Sequence, residues 1–183
     1  MSQPIHFQTI LKFWFDDIAP SQWWTKDAVF DKLINERFSE IHRAAKNSEL
    51  FEWRTRAKGR LAEIIVLDQF SRNLFRDTPM AFAYDSLALM LAQEAISSGA
   101  ASALNPQERT FLYLPFMHSE SLRIHDISLR LYQNSGLTDS YESALQHKYI
   151  IEKFGRYPHR NAILGRSSTK EEIAFLAGPN SSF

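Results

Sequence analysis

Cysteine is absent from the chain. That excludes disulfides, a thiolate nucleophile and thiolate-type zinc sites. Net charge is absent too, because 21 basic residues balance 21 acidic ones and the pI is close to 7. A neutral chain has no general electrostatic pull toward nucleic acid or an anionic membrane, so neither is expected as a partner. No apolar run approaches the ~20 residues a membrane-spanning helix needs. The first residues, MSQPIHFQTILKFWFDD, lack a basic stretch followed by a small-residue cleavage site, so no signal peptide is expected there. A soluble cytoplasmic protein is the resulting expectation. There is no glycine-rich phosphate loop, dinucleotide fingerprint, HExxH or GxSxG sequence. Neither a cofactor nor a metal is expected.

What the chain does have is bulk. Of 183 residues, 44% are hydrophobic and 13% aromatic, with 14 Phe, 6 Tyr and 4 Trp. This is enough for one compact domain over residues 1–183. Helical periodicity recurs throughout, and strand-like alternation is rare. Helices are expected over 5–15, 26–46, 49–57, 61–76, from Thr78-Pro79 to Gly99, and over 106–117, 119–133 and 139–154, with a last one after a capping box in Ser168–Glu172. Phe30, Leu33, Ile34, Phe38 and Ile41 make the apolar stripe of the second. Gly59 should separate or kink the chain, Pro115 should bend or end its helix early, and the last four residues should fray. The fold expected is all-α: eight to nine antiparallel helices joined by short connectors.

One stretch departs from surface-helix patterning. On a wheel of ~100° per residue, the apolar side chains of Leu61–Arg76 (LAEIIVLDQFSRNLFR) point in nearly every direction, as in a buried helix. Asp68, Arg72 and Arg76 nevertheless run through it, and a charge in a core needs a partner or a task. Asp68 and Arg72 have the i,i+4 spacing of an ion pair. One reading is therefore an internal salt bridge that docks neighbouring helices. The other is a guanidinium fork from Arg72 or Arg76, oriented by Asp68, for a carboxylate or phosphate.

Three further stretches carry polar chemistry. His118 and Glu120 follow Pro115, with Arg109 and Tyr113 on the helix before them, and form an acid–base pair, two metal ligands, or, the favoured reading, helix-terminal groups beside the N-cap Ser119. His147 falls on an apolar helix face, where a core histidine is the simpler reading. FGRYPHRNAILGR gathers Arg156, Tyr157, His159, Arg160, Asn161 and Arg166 around Pro158 with no acid among them. Its arginines either pair with acids elsewhere, such as Asp68, Asp85 or Glu120, or form half of an anion pocket.

WWTKDAVFD, LDQFSRNLFRDTPMAFAYD, ERTFLYLPFMHSE and HKYIIEKFGRYPHRNAILGRSST occur in order between Leu11 and Leu176. Together they resemble the bacterial domain of unknown function 924. The resemblance implies a tetratricopeptide-like stack of helical hairpins in one domain; it implies no activity. Ser71 stands where that family often carries proline.

The functional expectation is a helical binding module. Its ligand-binding residues are expected to be Asp68, Arg72, Arg76, His118, Glu120, Arg156, His159, Arg160 and Asn161. The ligand is a peptide carboxylate or a small phosphorylated or carboxylated molecule. The alternatives are a small enzyme using His118 with Glu120, or His159 with Asp68, and a polar network whose role is purely structural.

Overall fold

A computed structural model describes residues 6–179 and 181. Nine α-helices and no strands occur among them, so the protein is all-α. The first residue of the expected opening helix and most of the four terminal residues expected to fray lie outside the described residues. No helix among those described is long and apolar enough to cross a membrane. The chain divides into two compact units: unit 1 is Met1–Arg76 with Met80–Pro115, and unit 2 is Asp77–Pro79 with Phe116–Phe183.

Unit 1 begins with α1 (Phe7–Lys12), which widens into a π-helical turn over Phe13–Asp17. The Pro20–Trp23 turn folds the aromatic connector back, and the Trp23 indole N–H donates to the Trp14 carbonyl at 2.9 Å. Asp27 caps α2 (Ala28–Lys46) by accepting from the Val29 N–H at 2.8 Å. Phe30, Ile34, Phe38 and Ile41 are buried, but Leu33 is exposed, which narrows the expected stripe. Aromatic rings knit these elements together. Phe38 stacks on Phe70 with centroids 5.1 Å apart, and Trp14 meets Phe111 edge-on at 5.6 Å.

The expected helix at 49–57 is only a 3₁₀ turn, Phe51–Thr55. Gly59 does not break the chain; it lies inside α3 (Ala57–Ile65). A Cβ there would lie 2.1 Å from the Trp53 carbonyl oxygen, so the turn packs against the helix only because no side chain intervenes. The central helix is not continuous. After α3 it passes through a π-helical turn, Val66–Phe70, into α4 (Ser71–Leu74). Residues 61–71 are all buried, as the all-round apolar pattern requires.

Thr78-Pro79 does not start the next α-helix. Pro79–Ala81 forms an isolated 3₁₀ turn, and α5 (Asp85–Ser97) begins later, with Asp85 in its first turn, where a carboxylate suits the helix dipole. Gly99, left-handed at φ 79°, ends it as expected. Asn105 and Glu108 close a reciprocal cap on α6 (Pro106–Met117) through bonds of 2.9 and 3.0 Å. Pro115 does not shorten α6, but the boundary between the two units falls directly after it.

In unit 2, α7 (Leu122–Asn134) and α8 (Thr138–Phe154) form a helical hairpin through a three-residue turn containing Gly136. Lys148 on α8 bonds Asp126 on α7 at 2.9 Å. Ser119 is not the cap of α7; Ser121 holds that position, and Ser119 Oγ accepts its N–H at 3.2 Å. Gly155 ends α8, and an irregular segment around the short Pro158–Arg160 turn leads to α9 (Lys170–Leu176). Thr169 and Glu172 form the expected capping box on α9. Ile150, Ile151 and Tyr157 form a core, flanked by Phe154 and Phe175.

Candidate functional site

The charged residues of the central stretch are held within unit 1. Asp68 lies in the π-helical turn, 1% exposed, and accepts from the Gln69 amide at 2.6 Å. Its expected partner Arg72 stands 3.5 Å away, the looser of two ion pairs. The tighter one runs to α5, where Arg72 forks onto both Asp85 oxygens at 3.0 and 3.1 Å. Arg76 forks onto Asp31 of α2, which also accepts from Asn73 at 2.8 Å. Ser71 Oγ donates to the Leu67 carbonyl and accepts from His42 Nε2 at 2.8 Å. Burial and, secondarily, Lys46 push the His42 imidazole down to about 4, so it stays neutral.

The arginine-rich segment of unit 2 is organised in the same way at two of its corners. Arg156 forks onto Glu172 at 2.7 and 2.9 Å. That contact comes first among the forces that bring the Glu172 carboxyl down to about 2; the Thr169 N–H and Asn161 add to it against the opposing effect of burial. Arg166 forks onto Glu120 at 2.6 and 2.9 Å. Burial raises the Glu120 carboxyl, but Arg166 and the Tyr157 N–H, 2.7 Å away, bring it below its ordinary value. Asn161 is fully buried and links the two corners, accepting from Arg166 and donating toward Ser168 and Glu172. The expected His118–Glu120 acid–base pair is thus replaced on the carboxylate side by Arg166 and a backbone N–H.

Between these corners stands Tyr157, whose hydroxyl donates to the Met117 carbonyl at 2.5 Å. Rings and a cation surround it. His147, His159 and His125 lie with centroids 5.9, 5.4 and 6.2 Å from its ring, and the Arg160 guanidinium sits 4.7 Å from its centroid. Arg160 also donates to the His118 carbonyl at 3.0 Å, which ties the MHSE stretch to the same group. The structure therefore brings His118, Glu120, Arg156, His159, Arg160 and Asn161 together in unit 2, whereas Asp68, Arg72 and Arg76 belong to unit 1.

The bonds fix the imidazole tautomers. His125 Nε2 faces the Ser119 carbonyl at 2.8 Å and must carry the proton, leaving Nδ1 as an acceptor. That Nδ1 and the Ser128 hydroxyl, one helical turn away, are buried without a hydrogen-bond partner. His147 donates from Nδ1 to the Ser143 carbonyl at 2.8 Å. Burial, and then the neighbouring His118, His125 and His159, push it down to about 3. Burial lowers His125 as well. At neutral pH His125 and His147 are uncharged imidazoles next to one permanent cation, Arg160.

Sequence reasoning missed His125 and Glu172, and it named Tyr157 within its segment but not among the binding residues. Glu172 was legible only as a cap, and His125 carries no local signal, because its neighbours come from distant segments. His147 does sit in a core, as its helical face implied, but its neighbours there are other histidines. Among the described residues, no group of three or more His, Cys, Asp or Glu side chains is arranged to hold a metal ion.

A family model described as "Bacterial protein of unknown function (DUF924)" matches residues 10–180. A solved protein of unknown function from Agrobacterium tumefaciens is 41% identical, with a TM-score of 0.87 over 93% of this chain and 96% of that one. No curated protein matches the chain.

Proposed function

The chain belongs to the DUF924 family of bacterial proteins of unknown function, and we propose that this member is a helical binding protein that recognises a small anionic group through the basic shell around Tyr157. The ligand is a carboxylate or a phosphate. Arg160 supplies the permanent charge, and the half-buried His118 and His159 supply the accessible edge. One observation carries this reading: three imidazoles and a guanidinium gather about one ring, while the nearby carboxylate, Glu120, is already engaged by Arg166 and the Tyr157 N–H. A permanent guanidinium whose neighbouring carboxylate is already engaged is suited to an anion. A peptide C-terminus is one form such a carboxylate takes, and a tetratricopeptide-like fold would favour it by analogy.

For Asp68, Arg72, Arg76, Arg156, Glu120 and Asn161 we assign a structural role. Support comes from the closed forks onto Asp85, Asp31, Glu172 and Glu120, which occupy the donors that a ligand would need.

The test is a titration with inorganic phosphate and, separately, acetate, following the imidazole resonances of His118 and His159. Saturating shifts are expected, weakened at least about tenfold by Arg160→Ala, which corresponds to about 1.4 kcal/mol, and weakened also by added salt. Binding with unchanged affinity in Arg160→Ala would place the site elsewhere.

A further inference from the structure

Tyr157 sits at a seam within unit 2. It belongs to the irregular segment 156–166, between the left-handed Gly155 that ends α8 and the start of α9. The α7–α8 hairpin faces its ring with one imidazole from each helix, His125 from α7 and His147 from α8. The segment is tied to the connector before α7 by the Tyr157 hydroxyl on the Met117 carbonyl, the Tyr157 N–H and Arg166 on Glu120, and Arg160 on the His118 carbonyl. The hairpin has its own tie, Lys148 to Asp126.

Both imidazoles are badly placed to take a second proton. His125 is fully buried and donates from Nε2 to the Ser119 carbonyl, so the proton would go to Nδ1, which is closed to solvent and has no hydrogen-bond partner. His147 is buried and already donates from Nδ1. The groups that face them offer little compensation. His118 from the connector, His125 from α7 and His159 from the segment all disfavour a charge on His147. His118 and Lys148 of α8 disfavour one on His125; Asp126, beside it on α7, favours it, but is the weakest of these influences and already bonds Lys148. Glu120 and Glu172 are engaged by Arg166 and Arg156, and the permanent charge of Arg160 lies 4.7 Å from the Tyr157 centroid. Charges on His125 and His147 would therefore repel each other and find no free carboxylate at the seam. Once the seam opens, both rings meet water and take up protons, so protonation and opening favour one another.

We propose that residues 156–166 form an acid-released strap: protonation of His125 and His147 detaches the segment from the hairpin, while α7, α8 and unit 1 stay folded. Release uncovers the Tyr157 ring and hands the Arg160 guanidinium to solvent. The device does not require the shell to bind an anion.

The experiment is amide hydrogen exchange on the ¹⁵N-labelled full chain at pH 6.5 and 5.5, with the intrinsic pH dependence of exchange divided out. The reporters are the amides of Tyr157, Arg160, Asn161, Leu164 and Arg166, each of which donates to an acceptor in unit 2. In this window a glutamate of ordinary value 4.5 stays ionised, so released carboxylates contribute little. Uptake of one proton on opening lowers protection by at most about tenfold per pH unit, and the two imidazoles together should exceed that. His125→Gln, which keeps a donor near Nε2, and His147→Asn, which keeps one near Nδ1, should each bring the fall below about tenfold. The double variant should remove most of it; if that protein does not fold, the two single variants decide. His42→Gln, in unit 1, should leave the fall unchanged. All four tryptophans, Trp14, Trp23, Trp24 and Trp53, belong to unit 1, so indole fluorescence reads that unit alone and should stay constant across the window. A fall of about tenfold or less in the parent, an equal loss at the amides of α2 or α7, or a fall that survives both single variants overturns the strap.

Discussion

Around Asp68, guanidinium groups are matched to carboxylates. Arg72 reaches Asp85 and Asp68, Arg76 reaches Asp31, and the one nearby imidazole, His42, bonds Ser71. Around Tyr157 the carboxylates described, Glu120 and Glu172, stand at the corners, and the ring itself faces imidazoles and Arg160. The two regions draw on the same residue types, but they solve the burial of polar groups differently. The first neutralises charge with charge, which fixes α2, α4 and α5 by bidentate geometry. The second keeps His125 and His147 neutral by burial beside the one guanidinium of Arg160.

The sharpest way to break this contrast is to remove a carboxylate from the matched network. Asp68→Ala leaves Arg72 and Gln69 facing a hole in a buried segment and should cost about 3–5 kcal/mol in denaturant unfolding. A loss under about 1 kcal/mol would mean that the pair behaves as an exposed one. In unit 2 the corresponding pin is Glu172. Its carboxyl is lowered to about 2 in the folded protein, so its stabilisation is present in full above the unfolded value of 4.5 and lost as pH falls through 2. That difference amounts to roughly 3 kcal/mol. Glu172→Gln should be less stable at pH 7 by about that amount, and should flatten the stability profile between pH 5 and 2. An unchanged profile would remove Arg156–Glu172 from the list of matched pairs.

Local physics explains why some of this was readable from the chain and some was not. The all-helical fold, the caps at Asn105 and Thr169 and the stops at Gly99 and Gly155 depend on neighbours within four residues, and the sequence carries them directly. The buried character of residues 61–71 followed from apolar side chains on every face. The π-helical turn at Val66–Phe70 did not, because no residue there forbids an ordinary α-helix. Thr78-Pro79 has the form of a helix start, yet α5 begins at Asp85, where Arg72 holds the first-turn carboxylate. The i,i+4 spacing singled out Asp68–Arg72, but the better geometry lies thirteen residues away at Asp85. Tyr157 and His125 meet across 32 residues, a pairing without any periodic signature.

Acid separates the two regions less strongly. His42 in the matched network and His147 in the imidazole shell are held at about 4 and about 3, below the ordinary 6.5. The unfolded chain therefore binds more protons than the folded one in this window, so stability is full above pH 6.5 and declines as pH falls toward those values. Each histidine should account for about 2 kcal/mol of loss between pH 7 and 5. Urea unfolding at both pH values would show His42→Gln, which keeps a donor near Nε2, and His147→Asn, which keeps one near Nδ1, each removing its own share of the slope. If neither variant changes the slope, burial is not what keeps these rings neutral.

The smallest expected effect is the most informative about the shell. Arg166 bonds both Glu120 oxygens, Asn161 Oδ1 and the Tyr157 carbonyl at 2.6 to 3.1 Å, so it braces Tyr157 without touching an imidazole. Arg166→Lys keeps the charge but not the fork, and at this half-exposed corner should cost only about 1–2 kcal/mol. The His125 and His147 resonances should nevertheless move, because the ring they both face is no longer held from behind. Glu40→Gln on the exposed α2 surface should leave both resonances in place, since that pair lies in unit 1 and its carboxylate meets only Arg43. Imidazole signals that ignore Arg166→Lys would mean that Tyr157 is positioned by Met117 and Glu120 alone, and that the corner pair and the shell are separate structures.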